Sequence, residues 1–171
     1  EADAANGLGE RVYSIYSGGD DLFFVGSWDA VVELARRIRA DLGRYAGQHP
    51  GIHASAGIVL AGGKYPLYQA AQDAGQAEED AKSLQWLDGT TLRKKDAVSF
   101  LGQTVSWRQF GLEDCTDAAP QTVHAWAHRL ENALTAAGTP RALLGLLMRL
   151  QEKYDKVAAE KQRQGTDLNQ Q

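Results

Sequence analysis

The segment that most limits the fold of this chain is residues 11–26, RVYSIYSGGDDLFFVG. It begins with β-forming residues, continues through two glycines and two aspartates, and ends with a short apolar run. Adjacent glycines allow the positive φ angles of a tight turn, and the apolar run has the length of a buried strand. The sequence therefore predicts a β-hairpin with Asp20 and Asp21 at its tip.

The two aspartates at this tip suggest a metal site. Adjacent carboxylates repel each other unless a cation neutralises them. Mg²⁺ prefers oxygen ligands and usually binds through one or two carboxylates, waters and the phosphates of its substrate. We therefore expect Asp20 and Asp21 to bind Mg²⁺ or Mn²⁺ for nucleotidyl transfer. An ordinary Asp-containing turn is the alternative, because Gly and Asp are common turn residues.

A helix is predicted directly after the hairpin. Ser27 is a suitable N-cap, and apolar residues recur from Trp28 to Tyr45 at helical spacing. The opposite side carries Arg36, Arg37, Arg39 and Arg44. We expect that side to be solvated, with contact to nucleic acid as the alternative.

A strand is predicted from Ile52 to Leu60, next to the hairpin, because apolar and small residues alternate there. One of its sides is mostly small or polar, which would let a neighbouring backbone or a ligand come close. A helix from Pro66 to Lys82 follows, and its alanine stripe is expected to pack closely against the sheet.

The remaining segments predict a change of fold class along the chain. After a turn at Asp88-Gly89 and a basic loop at 93–95, short strands are predicted at 97–101 and 104–107. From residue 119 the periodicity is helical, with one helix near Pro120 and another from about Arg141. We therefore expect an α+β portion at residues 1–110 and an all-α portion at 111–171.

Two further expectations concern apolar side chains. The first helix of the all-α portion should place Val123 and Trp126 inward. Tryptophans can stack on nucleotide bases, but their places among apolar stripes favour core packing. This expectation covers Trp28, Trp86, Trp107 and Trp126.

Composition excludes several classes of protein. With 43% hydrophobic and 23% charged residues, intrinsic disorder is not expected. No apolar run reaches the roughly 20 residues of a membrane span, and Cys115 is the single cysteine. We expect no membrane partner and a reducing, cytoplasmic location. The net charge of −4 argues against a polyanion-binding surface over the whole chain.

Two sequence runs resemble a known family. The run YSGGDDLFFVGSWD, followed by HASAGIVLAGGKYPLYQAAQDAGQAEEDAKSL, resembles the cyclase-polymerase large subunit of type III CRISPR effector complexes. The resemblance covers roughly residues 11–110, and GTPRALLGLLMRLQEKY is similar, less specifically, to that subunit's C-terminal helical domain. It implies a ferredoxin-like palm, as in nucleotide cyclases and polymerases, followed by an all-α domain.

The same resemblance implies an activity and a setting. The activity is cyclic oligoadenylate synthesis from ATP by 3′-5′ nucleotidyl transfer with two metal ions, after target RNA has bound. The implied partners are the other subunits of the antiviral complex, with crRNA and target RNA reached through the complex.

Site residues are implied by position. Asp20 and Asp21 would be the catalytic metal ligands. The nucleotide-binding residues would be Ser17, Gly18, Gly19, Ser55 and Lys82. A lysine near a helix C-terminus also commonly interacts with the helix dipole, and both interpretations of Lys82 stay open.

The sequence also departs from the family pattern. Family members have, ahead of the hairpin, a first palm strand with its own acidic residue, so we expect the palm to be incomplete at its N-terminus. We therefore expect the isolated chain to be inactive and to be part of a longer or split protein. A non-catalytic scaffold of an RNA-guided complex is one alternative. A diguanylate-cyclase-like domain is another, disfavoured because GGDDLF stands where GGDEF would be expected.

Overall fold

The computed structural model describes residues 7–112 and 122–135, together with residues 145, 149, 150 and 153. By its internal contacts the chain divides into two units, Glu1–Ala125 and Trp126–Gln171. None of the described helices combines the length and apolarity that crossing a bilayer requires.

The described part is mixed α/β, with short strands and longer helices. The first half runs α1 (Leu8–Arg11), β1 (Val12–Gly18), β2 (Asp21–Gly26), α2 (Trp28–Tyr45), β3 (Ala56–Ile58) and α3 (Leu67–Ser83). The second half runs β4 (Gln85–Asp88), β5 (Thr91–Lys94), β6 (Ala97–Phe100), β7 (Gln103–Ser106), α4 (Trp107–Phe110) and α5 (Val123–Thr135). The two long helices and strands β1, β2, β6 and β7 confirm the sequence predictions for those segments.

The strands form three small sheets. β1 and β2 pair antiparallel, as do β4 and β5, and the third sheet has the order β3-β6-β7. Within that third sheet, β3 is parallel to β6, and β6 is antiparallel to β7.

The expected strand from Ile52 to Leu60 is wrong in its length and its pairing. β3 covers only Ala56–Ile58 and pairs with β6, whereas the β1–β2 hairpin forms a sheet of its own among the described residues. The partner strand sets this limit, because β6 ends at Phe100 and Leu101 turns away with a φ of 53°. Without a neighbour, Ile52 and Leu60 stay exposed.

The core of the first unit centres on α4. Trp107 and Phe110 are buried with Ile58 and Val98, and their rings meet edge to face with centroids 5.8 Å apart. Such a pair contributes about 0.5–1.5 kcal/mol beyond its area burial. The indole Nε1 of Trp107 donates a 2.8 Å hydrogen bond to the carbonyl oxygen of Ala54, which connects α4 to the segment before β3.

The expectation that all four tryptophans pack in the core is correct for Trp107 and wrong for two others. Trp28 is 63% exposed and Trp126 is 55% exposed. Val123, also expected inward, is exposed, and Ala125 is the buried residue of that helix. The buried side of α5 therefore differs from the one that the apolar spacing indicates. The Thr122 hydroxyl accepts a hydrogen bond from the Ala125 amide at the start of this helix.

Helix α3 packs directly on β3, as its alanine stripe predicts. A Cβ on Gly57 would overlap the backbone of Ala74 and Glu78, so the glycine lets the helix backbone reach the strand. Ala81 on the same helix is completely buried. The small residues of the strand therefore serve packing between the helix and the sheet.

The arginine side of α2 is only partly solvated: Arg44 is exposed as expected, whereas Arg36 and Arg39 are enclosed by later segments. Arg36 is buried, with Nε donating to the Gly111 carbonyl oxygen at 2.7 Å and Nη1 to Glu33 at 2.5 Å. Arg39 donates to both carboxylate oxygens of Asp96, at 2.5 and 2.9 Å. The segments around residues 96 and 111 fold back over this side of the helix, which no local pattern indicates.

The basic run at 93–95 is partly a strand. Arg93 and Lys94 belong to β5, and the predicted turn at Asp88-Gly89 is the tip of the β4–β5 hairpin. The indole Nε1 of Trp86 donates to the Lys95 carbonyl oxygen at 3.2 Å. β4 and β5 have only four residues each, which is too short for a clear alternation of apolar and polar residues to predict them from the sequence.

The second unit is described only from Trp126 to Thr135 and at four further helical positions. In it, the Arg129 guanidinium lies 5.3 Å from the centre of the Trp126 ring. The helix start expected at Pro120 and most of the helix expected from Arg141 lie outside the described residues.

Candidate active site

The tip of the β1–β2 hairpin is as tight as its sequence predicts. Gly18 pairs with Asp21, which leaves Gly19 and Asp20 as a two-residue turn. Gly19 has a φ of 64°, in the left-handed region that favours glycine. The predicted hairpin with Asp20 and Asp21 at its tip is confirmed.

Both tip carboxylates are open to a ligand. Asp20 and Asp21 are exposed, and neither forms a hydrogen bond or ion pair with its side chain in the described part of the chain. A Cβ on Gly19 would meet no atom within 4 Å, so the space above the turn is also open. Two adjacent carboxylates without a protein cation to neutralise them match the chemistry of a divalent-metal site.

The residues present fit Mg²⁺ or Mn²⁺ held jointly by protein and substrate. Across residues 7–112 and 122–135, no three His, Cys, Asp or Glu side chains cluster as a metal cage. Mg²⁺ is usually held by one or two carboxylates and completes its shell with waters and phosphate oxygens. Asp20 and Asp21 can supply that share of the ligands.

The strand register divides the hairpin side chains between two faces. Gly18 and Asp21 are opposite each other, as are Tyr16 and Phe23, so these four residues share one face. Ser17 is opposite Leu22 and lies on the other face. The hairpin thus brings together five of the seven implied site residues, with Ser17 turned away from Asp21.

The structure does not join Ser55 or Lys82 to the hairpin. Ser55 is half-buried before β3, and no hydrogen bond or ion pair of the described residues connects either side chain to β1 or β2. Lys82 lies in the last turn of α3, with Nζ 2.9 Å from Glu78 and 3.4 Å from Glu79. The hydrogen bond that its ammonium group donates to Glu78 is the main cause that raises the pKa of Lys82, so the group is charged at neutral pH.

Tyr16, one of the β-forming residues before the turn, also lies at this site, which its residue type alone does not indicate. In the structure its side chain lies over Gly18: a Cβ on that glycine would be 2.9 Å from the Tyr16 hydroxyl oxygen and 3.1 Å from Cζ. A residue two positions before a strand glycine shares its face, which is the signal that was available in the sequence.

Comparisons with known proteins identify a family for the part of the chain that carries the hairpin. The family model described as Cas10/Cmr2, second palm domain, matches residues 2–91. The match includes the whole β1–β2 hairpin, α2, β3 and α3. No solved structure shows a significant match.

Three similar proteins carry the same name, CRISPR system single-strand-specific deoxyribonuclease Cas10/Csm1 (subtype III-A). The protein of Methanocaldococcus jannaschii is 37% identical over 101 residues, which are 57% of this chain and 13% of that protein. The Mycobacterium tuberculosis protein is 40% identical over 78 residues, 46% of this chain and 9% of its own length. The Enterococcus italicus protein is 40% identical over 74 residues, which are 43% of this chain and 10% of that protein. The chain therefore spans about a tenth of the curated relatives it matches.

Proposed function

The chain belongs to the Cas10/Cmr2 second palm domain family, and from this premise we propose that its β1–β2 hairpin serves the synthesis of cyclic oligoadenylates from ATP. The observation that carries the proposal is the exposed pair Asp20 and Asp21, without side-chain partners in the described part of the chain, on a two-residue turn. The setting proposed is a target-RNA-activated type III CRISPR complex, in which the other subunits, crRNA and target RNA are the partners.

The proposed roles follow from chemistry at the tip. Asp20 and Asp21 would hold Mg²⁺ or Mn²⁺, which would lower the pKa of an attacking 3′-hydroxyl and stabilise the charge of a departing pyrophosphate. Gly18 and Gly19 keep the tip free of side chains, so that a triphosphate can approach the backbone. Holding the 3′-hydroxyl in line with the triphosphate would account for much of the expected rate gain.

The three remaining nucleotide-binding residues support the proposal unequally. Ser17 is on the hairpin, and its hydroxyl can donate to nucleotide from the face opposite Asp21. Ser55 and Lys82 need the nucleotide, or a movement of the hairpin, to connect them with the tip. For Lys82 a phosphate would compete with Glu78 and Glu79, which already bind its ammonium group.

We further propose that the described α/β part belongs to a ferredoxin-like palm, with residues 1–110 as the palm portion and 111–171 as an all-α portion. The hairpin exposes large apolar side chains: Tyr13, Ile15, Tyr16, Leu22 and Val25. An exposed apolar hairpin of two strands is marginal alone and is stabilised by further strands or partners. The hairpin would therefore function within the assembled protein.

The same exposed surface favours a second candidate, a non-catalytic scaffold that contacts neighbouring subunits. The two candidates differ in what they require of the carboxylates. A scaffold needs the apolar side chains but has no use for Asp20 and Asp21, whose like charges only repel each other when no cation is bound.

The test uses the full protein in its complex, with target RNA and Mg²⁺, and labelled ATP or labelled GTP in parallel. Cyclic product from ATP alone is expected. Product from GTP instead would indicate a diguanylate-cyclase-like activity, and no product from either nucleotide, with assembly intact, would favour the scaffold.

A further inference from the structure

Tyr16 on β1 and Asp21 on β2 lie on the same face of the hairpin, because Tyr16 is two residues before Gly18, the partner of Asp21. Tyr16 is opposite Phe23 and Gly18 is opposite Asp21, so the aromatic ring is one cross-strand pair away from the carboxylate. Diagonal neighbours on one face of an antiparallel pair are within reach of aromatic side chains. The ring therefore belongs to the immediate surroundings of the proposed metal site.

Gly18 gives the Tyr16 ring its position. A Cβ on Gly18 would lie 2.9 Å from the Tyr16 hydroxyl oxygen, 3.1 Å from Cζ and 3.5 Å from Cε2. The hydroxyl end of the ring thus occupies the space that a side chain at residue 18 would fill. It lies next to the turn that carries Asp20 and Asp21.

The hydroxyl of Tyr16 has no hydrogen-bond partner in the described part of the chain, and the side chain is 56% exposed. Tyr65 shows the contrast, because its hydroxyl donates to Asp73 at 2.7 Å. A tyrosine placed beside two metal-binding carboxylates, with its O–H available, can donate to an anion held at the same metal. Donors directed at ionised oxygens form stronger hydrogen bonds than neutral pairs.

We propose that Tyr16 is a further nucleotide-binding residue of this site, and that its hydroxyl donates a hydrogen bond to a phosphate oxygen of a nucleoside triphosphate. The inference rests on the proposed function of Asp20 and Asp21. In this arrangement Gly18 acts through Tyr16: its missing side chain lets the hydroxyl reach the tip.

The test compares Tyr16→Phe with the wild type in the full protein, assembled with its RNA and partner subunits. The probe is ATP with saturating Mg²⁺, and KM and kcat for product formation are measured. Loss of one hydrogen bond to a charged group should raise KM about tenfold. Because that contact is made in both the ground and transition states, kcat should change little. Tyr13→Phe is the matched control, since Tyr13 lies on the same strand, 70% exposed, away from the tip, and it should leave KM unchanged.

A double-mutant cycle tests the role of Gly18. Gly18→Ala should raise KM more in the wild-type background, where it also displaces the ring, than in a Tyr16→Ala background, where it affects only the approach of the triphosphate to the backbone. An equal effect of Gly18→Ala in both backgrounds would show that the nucleotide itself requires the glycine, and would overturn the proposed link.

The outcomes separate this inference from the proposed function. If Asp20→Ala with Asp21→Ala abolishes product but Tyr16→Phe matches Tyr13→Phe, the function stands and the Tyr16 proposal is overturned. If removing both carboxylates leaves product formation unchanged, the proposed function fails, and the Tyr16 proposal fails with it. A purely structural Tyr16 would retain wild-type KM in Tyr16→Phe, because the ring remains.

Discussion

The Nε atom of Arg36 donates a 2.7 Å hydrogen bond to the carbonyl oxygen of Gly111, 75 residues later in the chain. The guanidinium is buried, and its Nη1 also binds Glu33 at 2.5 Å. This contact ties the middle of α2 to the segment after α4. A charged group buried in this way stabilises the fold only while its partners remain.

Arg36→Ala should therefore destabilise the chain strongly, because Glu33 and the Gly111 carbonyl lose a buried donor. We expect a loss of about 3 kcal/mol in the free energy of unfolding. The control is Arg44→Ala, whose ion pair with Asp41 is exposed and should contribute less than about 1 kcal/mol. Urea unfolding followed by circular dichroism measures both, and equal losses would contradict the buried role of Arg36.

Substituting alanine should change the free energy of unfolding in opposite directions at two glycines, Gly57 in a tight contact and Gly75 in open space. Gly57→Ala should cost about 1–3 kcal/mol, since the new methyl group overlaps the backbone of α3. Gly75→Ala should stabilise by about 1 kcal/mol, because Gly75 is inside α3 and a Cβ there meets no atom within 4 Å. Thermal unfolding of the two variants measures both changes in stability. A stable Gly57→Ala protein would mean that α3 does not pack against β3 as described.

The stability contribution of Glu33 should depend on pH. Burial opposes ionisation of this carboxyl, but hydrogen bonds from Arg37 and Arg36 outweigh it and lower its pKa below the ordinary 4.5. A lowered pKa in the folded state means that the contribution is full above pH 4.5 and is lost as the pH falls through the folded value. The difference in unfolding free energy between wild type and Glu33→Gln should be constant near neutral pH and shrink on acidification. A difference that grows towards low pH would contradict the assignment.

Asp20→Asn with Asp21→Asn should reduce product formation by the assembled complex roughly 10²-fold or more, because neutral amides bind divalent metal poorly. Asn keeps the size of Asp, so the hairpin and complex assembly should be unaffected. Removing two adjacent like charges can even stabilise the metal-free hairpin slightly. Asp41→Asn is the matched control on an exposed helix surface. Loss of assembly in the double variant would assign the aspartates a structural role.

The isolated 171-residue chain should bind Mg²⁺-ATP weakly and form no detectable cyclic product. Its hairpin is a two-stranded sheet by itself, and the described residues add no third acidic side chain at the tip. Cyclisation needs a 3′-hydroxyl and a triphosphate held in line, which this surface does not provide alone. Mass analysis of reactions with ATP and Mg²⁺ or Mn²⁺ is the measurement. Abundant oligoadenylate from the isolated chain would refute the prediction.

Much of the candidate site could be predicted because its determinants are local. The turn at Gly19 requires a positive φ, and glycine next to aspartate provides it wherever the chain is placed. The same holds for α2 and α3, whose apolar spacing and N-terminal residues are properties of continuous segments. The residue types at the tip indicate a metal site with an ordinary turn as the alternative, whereas the nucleotide-binding roles of Ser17, Ser55 and Lys82 follow only from the family resemblance.

The sequence by itself determined the hairpin, its acidic tip and the two long helices, because neighbouring residues set those backbone angles. Tertiary structure alone decided that Arg36 is buried against Gly111, that β3 pairs with β6, and that the ring of Tyr16 extends over Gly18. These relationships depend on atoms brought together by packing and on the rotamer that the available space permits. A pattern of residue types along one segment does not encode which distant carbonyl oxygen a buried guanidinium will meet.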